Sequence, residues 1–518
     1  MTLMSRHYYN LAFKFFDMAA EHRGVPALCY SDRLITYLEL ADISEKIALA
    51  LLRKGLSRGD VIAIGHSKKP LAYALMLATL RLGLPYVNID LGSPSARNAL
   101  ILSSCRAAII FFDDRDFESS LQKLADDQNC PLCFLDEEKL PEVSTGDSVA
   151  LLNATTCVDG ACIAYIMFTS GSTGAPKGVA VTHQNILHFI EWGQKRFIPG
   201  PQANFANLNP MYFDNSVFDF YVSLFSGSSL TPISRELLNR PYELIDYVNS
   251  MKCSVWFSVP SLLMYLMTMK ALSVKTLPLI RRIVFGGEGY PKPELKKLYS
   301  MFSPQAELVN VYGPTECTCI CSAHTIVDDD FLDMQGLPML GYLNQNFDFQ
   351  ILDENGNEST VGELCLIGPN VASGYFNDPE RTASSFVTMT SSKRYLKRMY
   401  CTGDLVRIDA GRLHFVGRKD NQIKHMGYRI ELEEIEHALM SLAHVDQAAV
   451  IYLRSHVIHG KIIGFVASSM GIDEQEILGK LKTILPEYML PTQIIGLRRL
   501  PKNQNGKVDK QQLRESLE

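Results

Sequence analysis

Basic surplus is missing from this sequence: 50 lysines and arginines stand against 56 aspartates and glutamates, for a formal net charge of −6. That balance excludes the broad positive footprint of a nucleic-acid binder. No apolar run reaches bilayer-spanning length. The opening stretch MTLMSRHYYNLAFKFFDMAAEHRG lacks the charged lead, continuous apolar segment and small-residue cleavage site of a signal peptide. A soluble, cytoplasmic protein without membrane insertion is expected. Internal repeats and low-complexity tracts are missing as well. So is a disulfide framework, because the twelve cysteines are scattered through apolar strand-like runs. Cys130 and Cys133 form a lone C-x-x-C with no second ligand pair at zinc spacing, and Cys317, Cys319 and Cys321 alternate along an expected strand. Structural thiols are the expectation for all of them.

What remains is a core-forming chain of 518 residues, 47% apolar and 20% charged, long enough for two or more domains. From about residue 35 to 365, short β-rich runs alternate with helical ones. VIAIG (61–65) leads into helical 69–83 and then YVNI (86–89). Later, VWFSVP (255–260), RRIVFGGE (281–288) and LVNVYG (308–313) each end at Gly or Pro. Continuous apolar strands separated by helices predict parallel sheets covered on both faces, with ligands at the carboxyl ends of the strands. After Gly417 the texture changes. RLHFVGR, QIKHMGYRI, AAVIYLR and KIIGFVAS read as strands, and ELEEIEHALMSL and DEQEILGKLKTIL as helices, predicting a small α+β unit.

The stretch 169-TSGSTGAPKG-178 carries three glycines, four hydroxyls and one lysine. These are the ingredients of a phosphate loop, without its Gly-Lys-Ser/Thr order. A run of this composition taken alone reads equally well as a surface turn. It stands in order with ITYLEL, LRLGLPYVNID, FDNS (213–216), NVYGPTE (310–316), GELCLIGPNVASGYF, YCTGDL, GRKDNQIKHMGYRIE (417–431), LPEYMLP and NGKVDK (505–510). With these motifs in this order, the chain resembles the adenylate-forming superfamily. Within it, the likeness is to the amino-acid-activating domains of nonribosomal peptide synthetases and to D-alanine:carrier protein ligases.

The resemblance implies a large α/β domain over residues 1–418, layered αβαβα with a barrel-like subdomain. It also implies a hinge at Lys419 and Asp420 and a mobile C-terminal α+β domain over 421–518. The implied cofactors are ATP and Mg2+. Thr169, Ser170, Gly171, Ser172, Thr173, Gly174 and Lys177 would close over the ATP phosphates, and Glu316 would hold magnesium, whose oxygen preference a carboxylate meets. Tyr312 would stack on adenine, and Asp404 would accept from the ribose hydroxyls with Arg418 nearby. Gly287, Glu288, Asn310, Gly313 and Thr315 complete the expected nucleotide site. Each has a duller reading alone: Tyr312 as a core aromatic, Asp404 as a turn former, Glu316 as a helix-start acid. Lys507 would reach from the small domain to the reacting carboxylate, so Lys507, Lys177 and Glu316 are the expected catalytic residues.

By the same resemblance the acid pocket comprises Asp214, Asn215, Phe218, Ser258, Val284, Gly286, Val311, Cys319 and Ile320. Asp214 would pair with a substrate ammonium, since a buried carboxylate needs a partner. The rest are uncharged, which disfavours charged side chains on the substrate. A small or medium neutral amino acid of either chirality is expected. Its acceptor would be the phosphopantetheine thiol of a separate carrier protein, because no G-G-x-S, H-H-x-x-x-D-G or G-x-S-x-G appears. A monomer is expected. Lys424, His425, Met426 and Gly427 depart from the commoner K-I-R-G, which bears on carrier docking. The alternatives are a coenzyme A ligase of the same superfamily or a non-catalytic nucleotide-binding scaffold.

Overall fold

The structure is a computed structural model that describes residues 8–200, 202–345, 347–389, 397–453, 460–468, 473–503 and 508–517. Two mixed sheets dominate. The seven-stranded sheet runs Gly374–Tyr375, Lys177–Thr182, Ile163–Thr169, Tyr86–Ile89, Ile62–Gly65, Ile109–Phe112, Leu132–Phe134; from Ile163–Thr169 onward its pairs are parallel. The nine-stranded sheet has a parallel centre built from Glu307–Tyr312, Arg282–Gly286, Val255–Ser258, Asn204–Asn207, Ser229–Pro232 and Pro26–Cys29. These strands are short, β-branched and aromatic, and buried along their length, as parallel strands covered on both faces must be.

One shared core joins the two sheets. Helix Pro70–Leu82 starts with proline at its first turn and ends on Gly83 at φ 65°, the left-handed cap that glycine adopts at no steric cost. Every residue from Ala72 to Leu82 is buried, so this helix has no polar face. It is fixed instead by a side-chain bond from Tyr73 Oη to Asn207 Oδ1 at 2.7 Å, which ties it to the nine-stranded sheet. Tyr86 and Tyr221 meet hydroxyl to hydroxyl at 3.0 Å between the layers. The flanking helix Tyr37–Arg53 begins with a Thr36/Glu39 capping box.

An antiparallel five-stranded unit (Asp348–Leu352, Val361–Ile367, Phe386–Met389, Lys397–Asp409, Arg412–Arg418) stands where the barrel-like subdomain was expected. Past Asp420 the chain builds a two-stranded hairpin, Gln422–His425 with Tyr428–Glu431, and a three-stranded sheet, Gln447–Leu453, Lys461–Ala467 and Gln493–Leu497. Helices cover that sheet, and the cluster around Ile435, Val450 and Leu481 draws only on residues beyond Asp420. A large mixed α/β unit plus a small α+β one is the expected fold class.

Two local expectations fail. QIKHMGYRI is a hairpin and not one strand, because Met426 and Gly427 take φ 52° and 80° and reverse the chain. The alternating cysteines are not on a strand: Thr315–Cys317 is a helical turn, Thr318 and Cys319 adopt φ 61° and 71°, and the strand begins only at Ser322.

Strand spacing at the site depends on missing side chains. A Cβ on Gly286 would lie 2.4 Å from the carbonyl oxygen of Val311 on the neighbouring strand. Gly286→Ala should therefore lower stability by about 1–3 kcal/mol, as overpacking does. Gly479→Ala, in the exposed helix Glu474–Leu481 with open space around the new methyl, should raise it by about 0.5–1 kcal/mol. Urea unfolding of both variants checks the pair; effects of the same sign would contradict the packing.

Candidate functional site

The carboxyl ends of Ile163–Thr169, Val255–Ser258, Arg282–Gly286 and Glu307–Tyr312 open into one cleft between the sheets and the hairpin of the small unit. Of the residues expected there, Thr169, Ser170, Asp214, Asn215, Gly287, Val311, Tyr312 and Gly313 line it. Thr315, Cys319, Ile320, Asp404 and Arg418 do too.

Asp404 anchors one end. Its Oδ2 accepts from Tyr312 Oη at 2.6 Å and its Oδ1 from Arg418 Nη1 at 2.8 Å. A carboxylate has about four lone-pair sites, so two stay available. Asp214 anchors the other. It is buried and accepts from Thr315 Oγ1 at 2.5 Å, and among the described residues it has no ion-pair partner. Burial pushes its pKa above the usual carboxylate range, and the charge of Glu316 adds to this; the Thr315 bond and the more distant Lys424 and Arg429 act against it. Thr169 Oγ1 is buried with no hydrogen-bond partner.

Behind the cleft lies Glu316, with no exposed surface. Its Oε1 accepts from Tyr375 Oη at 2.8 Å and faces Lys177 Nζ at 3.6 Å; its Oε2 accepts from Arg429 Nη1 at 2.7 Å. Burial opposes its charge, but Arg429 and Lys177 outweigh burial and hold the carboxyl far below its usual range. Lys177 is pushed down to about 8 by burial and by Arg429, against the pull of Glu316 and Glu431.

The small unit closes the site. Ser170 Oγ donates to the Arg429 carbonyl at 2.7 Å and accepts from Glu431 N–H at 3.2 Å. Gly171 N–H donates to Glu434 at 3.1 Å, Arg97 pairs with Glu434, and Gly427 N–H donates to Glu288 at 3.0 Å. Lys424 Nζ stands 5.8 Å from the Tyr312 ring centroid. Tyr428 stacks on Tyr488 at 3.7 Å beside the cleft mouth.

Several expected residues stand elsewhere. Phe218 packs its ring against Phe197, Phe205 and Phe257 in the core. Ser258 is occupied by Trp256 Nε1 at 2.8 Å, and Val284 is fully buried under its strand. Gly286 abuts Val311, Asn310 donates to the Met339 carbonyl at 2.9 Å, and Glu288 accepts from Ser261 N–H as well as from Gly427. In the loop, Ser172 is exposed, Thr173 accepts from Arg381, and Gly174 lies beside His437. Lys419 pairs with Glu363 at 3.2 Å and Asp420 accepts from Arg418 at 2.8 Å. Lys507 lies outside the described residues. Arg429, Glu434 and Tyr375 stand in the sequence only inside longer motifs; for Arg429 the charge amid apolar strand residues was the available signal, and Glu434, on helix Leu432–Met440, carried none.

Arg429 and Gly427 are two of the contacts, with Ser170, Gly171 and the Arg97–Glu434 pair, that hold the small unit on the cleft, and a Cβ on Gly427 would meet Val259 at 2.3 Å. Removing one partner of a buried pair costs about 3–5 kcal/mol if nothing moves. Arg429→Ala and Gly427→Ala should therefore each part the two units, seen as a larger radius of gyration by X-ray scattering and faster tryptic cleavage at Lys419. Wild-type scattering from both variants would contradict this.

The family described as AMP-binding enzyme matches residues 15–376, and the AMP-binding enzyme C-terminal domain matches 434–507. A D-alanine–D-alanyl carrier protein ligase of Bacillus cytotoxicus is 30% identical over 504 residues, covering 96% of this chain and 97% of the ligase. A dimodular nonribosomal peptide synthase of Bacillus subtilis is 30% identical over 492 residues, 94% of this chain and 20% of the synthase. A solved nonribosomal peptide synthetase protein containing adenylation and PCP domains superposes with a TM-score of 0.83 at 26% identity, over 98% of this chain and 84% of that one.

Proposed function

The chain belongs to the AMP-binding enzyme family, related to D-alanine:carrier protein ligases and nonribosomal peptide synthetase adenylation domains, and from that premise we propose that it activates a small neutral amino acid. The amino acid's carboxylate attacks the α-phosphate of ATP, pyrophosphate leaves, and the aminoacyl group passes to the thiol of a separate phosphopantetheinylated carrier. AMP-forming ligase chemistry follows from the family. The amino-acid assignment rests on one observation: Asp214 is a buried carboxylate facing the cleft with a hydroxyl donor and, among the described residues, no ion-pair partner. An ammonium supplies what that site lacks, and the uncharged wall of Val311, Cys319 and Ile320 fits a neutral side chain.

The donor set fits a nucleotide. The spare lone pairs of Asp404 suit two ribose hydroxyls, the Tyr312 ring faces the cleft, and the orphaned Thr169 hydroxyl suits a phosphate oxygen. Magnesium, when bound, neutralises phosphate charge and orients the leaving group. Glu316 is its expected ligand, but both carboxylate oxygens are now engaged by Tyr375 and Arg429. Magnesium on Glu316 would meet the positive charge of Arg429, whose Nη1 is 2.7 Å from Oε2, so the two compete for this carboxylate and the site suits the metal better once the small unit has moved.

That movement gives residues 1–418 and 421–518 the roles of core and mobile domain, with Lys419 and Asp420 as pivot. In the present arrangement the hairpin at Gly427 fills the cleft mouth. Val508 packs with Ile463 and Leu500, on the sheet face opposite helix Leu432–Met440. We assign this arrangement to thiol transfer and the alternative one, with Lys507 at the reacting carboxylate, to adenylate formation.

Amino-acid-dependent exchange of pyrophosphate into ATP tests the assignment, followed by transfer to holo-carrier against coenzyme A. Asp214→Ala leaves a buried ammonium unpaired, which costs about 3–5 kcal/mol, or about two to four decades in kcat/KM. The des-amino analogue should lose far less with the same variant; equal losses for both compounds overturn the amino-acid reading.

A second expectation concerns Lys177. A polyphosphate beside it raises its pKa, so the bound form holds more protons than the free form wherever pH is near 8. Binding of MgATP at pH 8 should take up roughly half a proton, falling toward zero at pH 6 where free Lys177 is already charged. Calorimetry in two buffers of different ionisation heat measures this, and Lys177→Gln should abolish it; uptake that persists in Lys177→Gln assigns the proton elsewhere.

A further inference from the structure

Away from the cleft, the antiparallel unit brings three metal-ligating side chains to one face. Glu363 and Cys365 are two residues apart on strand Val361–Ile367, and Cys401 stands directly opposite Cys365 on Lys397–Asp409. Their donor atoms all lie within 4.8 Å of one another, the one such cluster of His, Cys, Asp and Glu among the described residues. We propose that Glu363, Cys365 and Cys401 form a binding site for a zinc-class divalent cation, with solvent as fourth ligand.

The geometry separates this from the other fate of a thiol pair. The two sulfurs are 3.7 Å apart. Two thiolates each about 2.3 Å from a tetrahedral zinc are separated by about 3.8 Å, so the pair already spans a metal. A disulfide needs Cβ atoms about 3.5–4.5 Å apart, whereas directly opposed strand residues hold theirs at about 4.5–5.5 Å. The strands would have to close to form it. Burial of Cys365 and partial exposure of Cys401 and Glu363 leave one open side for solvent.

The cluster already attracts positive charge. Glu363 Oε1 accepts from Gly403 N–H at 2.9 Å, which fixes the carboxylate, and Oε2 meets the ammonium of Lys419 at 3.2 Å. Lys419 is largely exposed and its stem is flexible, so the metal displaces it into solvent at little cost. The Cys365 thiol already lies in hydrogen-bond contact with Cys401. Binding releases the thiol protons. It also frees Lys419, the residue between the two domains, from its partner on the large one.

The test uses the full chain, stripped by chelator and kept under a non-thiol reductant. Cobalt(II) titration should give one equivalent bound with a thiolate-to-cobalt charge-transfer band, displaced by one equivalent of zinc. Cys365→Ser and Cys401→Ser should each cut the band by about half or more, and the double variant should abolish it. Glu363→Gln should weaken binding by at least about tenfold, and Lys419→Ala, which removes the competing ammonium, should tighten it roughly two- to fivefold. The last two substitutions leave the buried thiol untouched, so their opposite signs stand even if a serine variant fails to fold. Cys130→Ser with Cys133→Ser should change nothing. A band that keeps its full strength in Cys401→Ser, persists in the double variant or follows Cys130 and Cys133, an absence of binding, or a Cys365–Cys401 disulfide forming in place of the metal complex would each overturn the proposal.

Discussion

The buried carboxylate of Glu316 is the constraint around which the molecule is arranged. A carboxylate with no exposed surface is stable only if fixed donors replace water, and here they come from three parts of the chain. Lys177 follows the glycine-rich loop, Tyr375 lies on the short edge strand of the seven-stranded sheet, and Arg429 belongs to the hairpin beyond Asp420. Two of these donors belong to the large unit and stay when the small one moves. The third does not. Under the proposed function, the charge of Glu316 would be contested between a guanidinium brought by domain rotation and a metal brought by nucleotide, and that competition would order the two half-reactions.

The same economy of charge runs through the cleft. Arg418, Lys424, Arg429 and Lys177 stand among Asp404, Asp214, Glu316 and Glu431. Lys424 is pushed down by burial and by two guanidiniums, with Asp404 and Asp214 acting against them. Under the proposed function these four cations would meet the polyphosphate of ATP, and the hairpin carries two of them, Lys424 and Arg429. In the present arrangement Glu431 and Glu434 of the small unit stand against Lys177 and the glycine-rich loop; under the proposed function they would offset the positive charge that departing pyrophosphate leaves on the large unit.

Legibility in the sequence followed how local each feature is. Strands such as YVNI and helix Pro70–Leu82 are specified by neighbours within a few residues, and their observed bounds agree with the reading to within about two residues. Tyr312, at the carboxyl end of its parallel strand, stands where such sheets meet ligands, whereas Asp404, mid-strand in the antiparallel unit, and Asp214, in the turn after Asn204–Asn207, were legible only through the ordered motifs. Phe218, Ser258 and Val284 show the limit. Each is in the correct loop or strand, but which way a side chain points near a π-helical turn or strand end depends on ring packing and on a Trp256 bond that no spacing encodes. The hairpin at Met426 was hidden for a different reason, since a positive φ at methionine has no compositional signal.

Long-range pairs were the least legible. Arg429 and Glu316 are 113 residues apart, Gly171 and Glu434 263 apart, and Cys365 and Cys401 36 apart across two strands. No periodicity connects such partners. They share a physical property instead: each joins polar groups inside apolar surroundings, where a group without its partner is costly. A charged or thiol side chain in the middle of an apolar strand run, as Arg429 is in YRIE and Cys365 in GELCLI, is therefore the sequence's mark of a contact still to be found. What it withholds is the address, which only the packed sheet supplies.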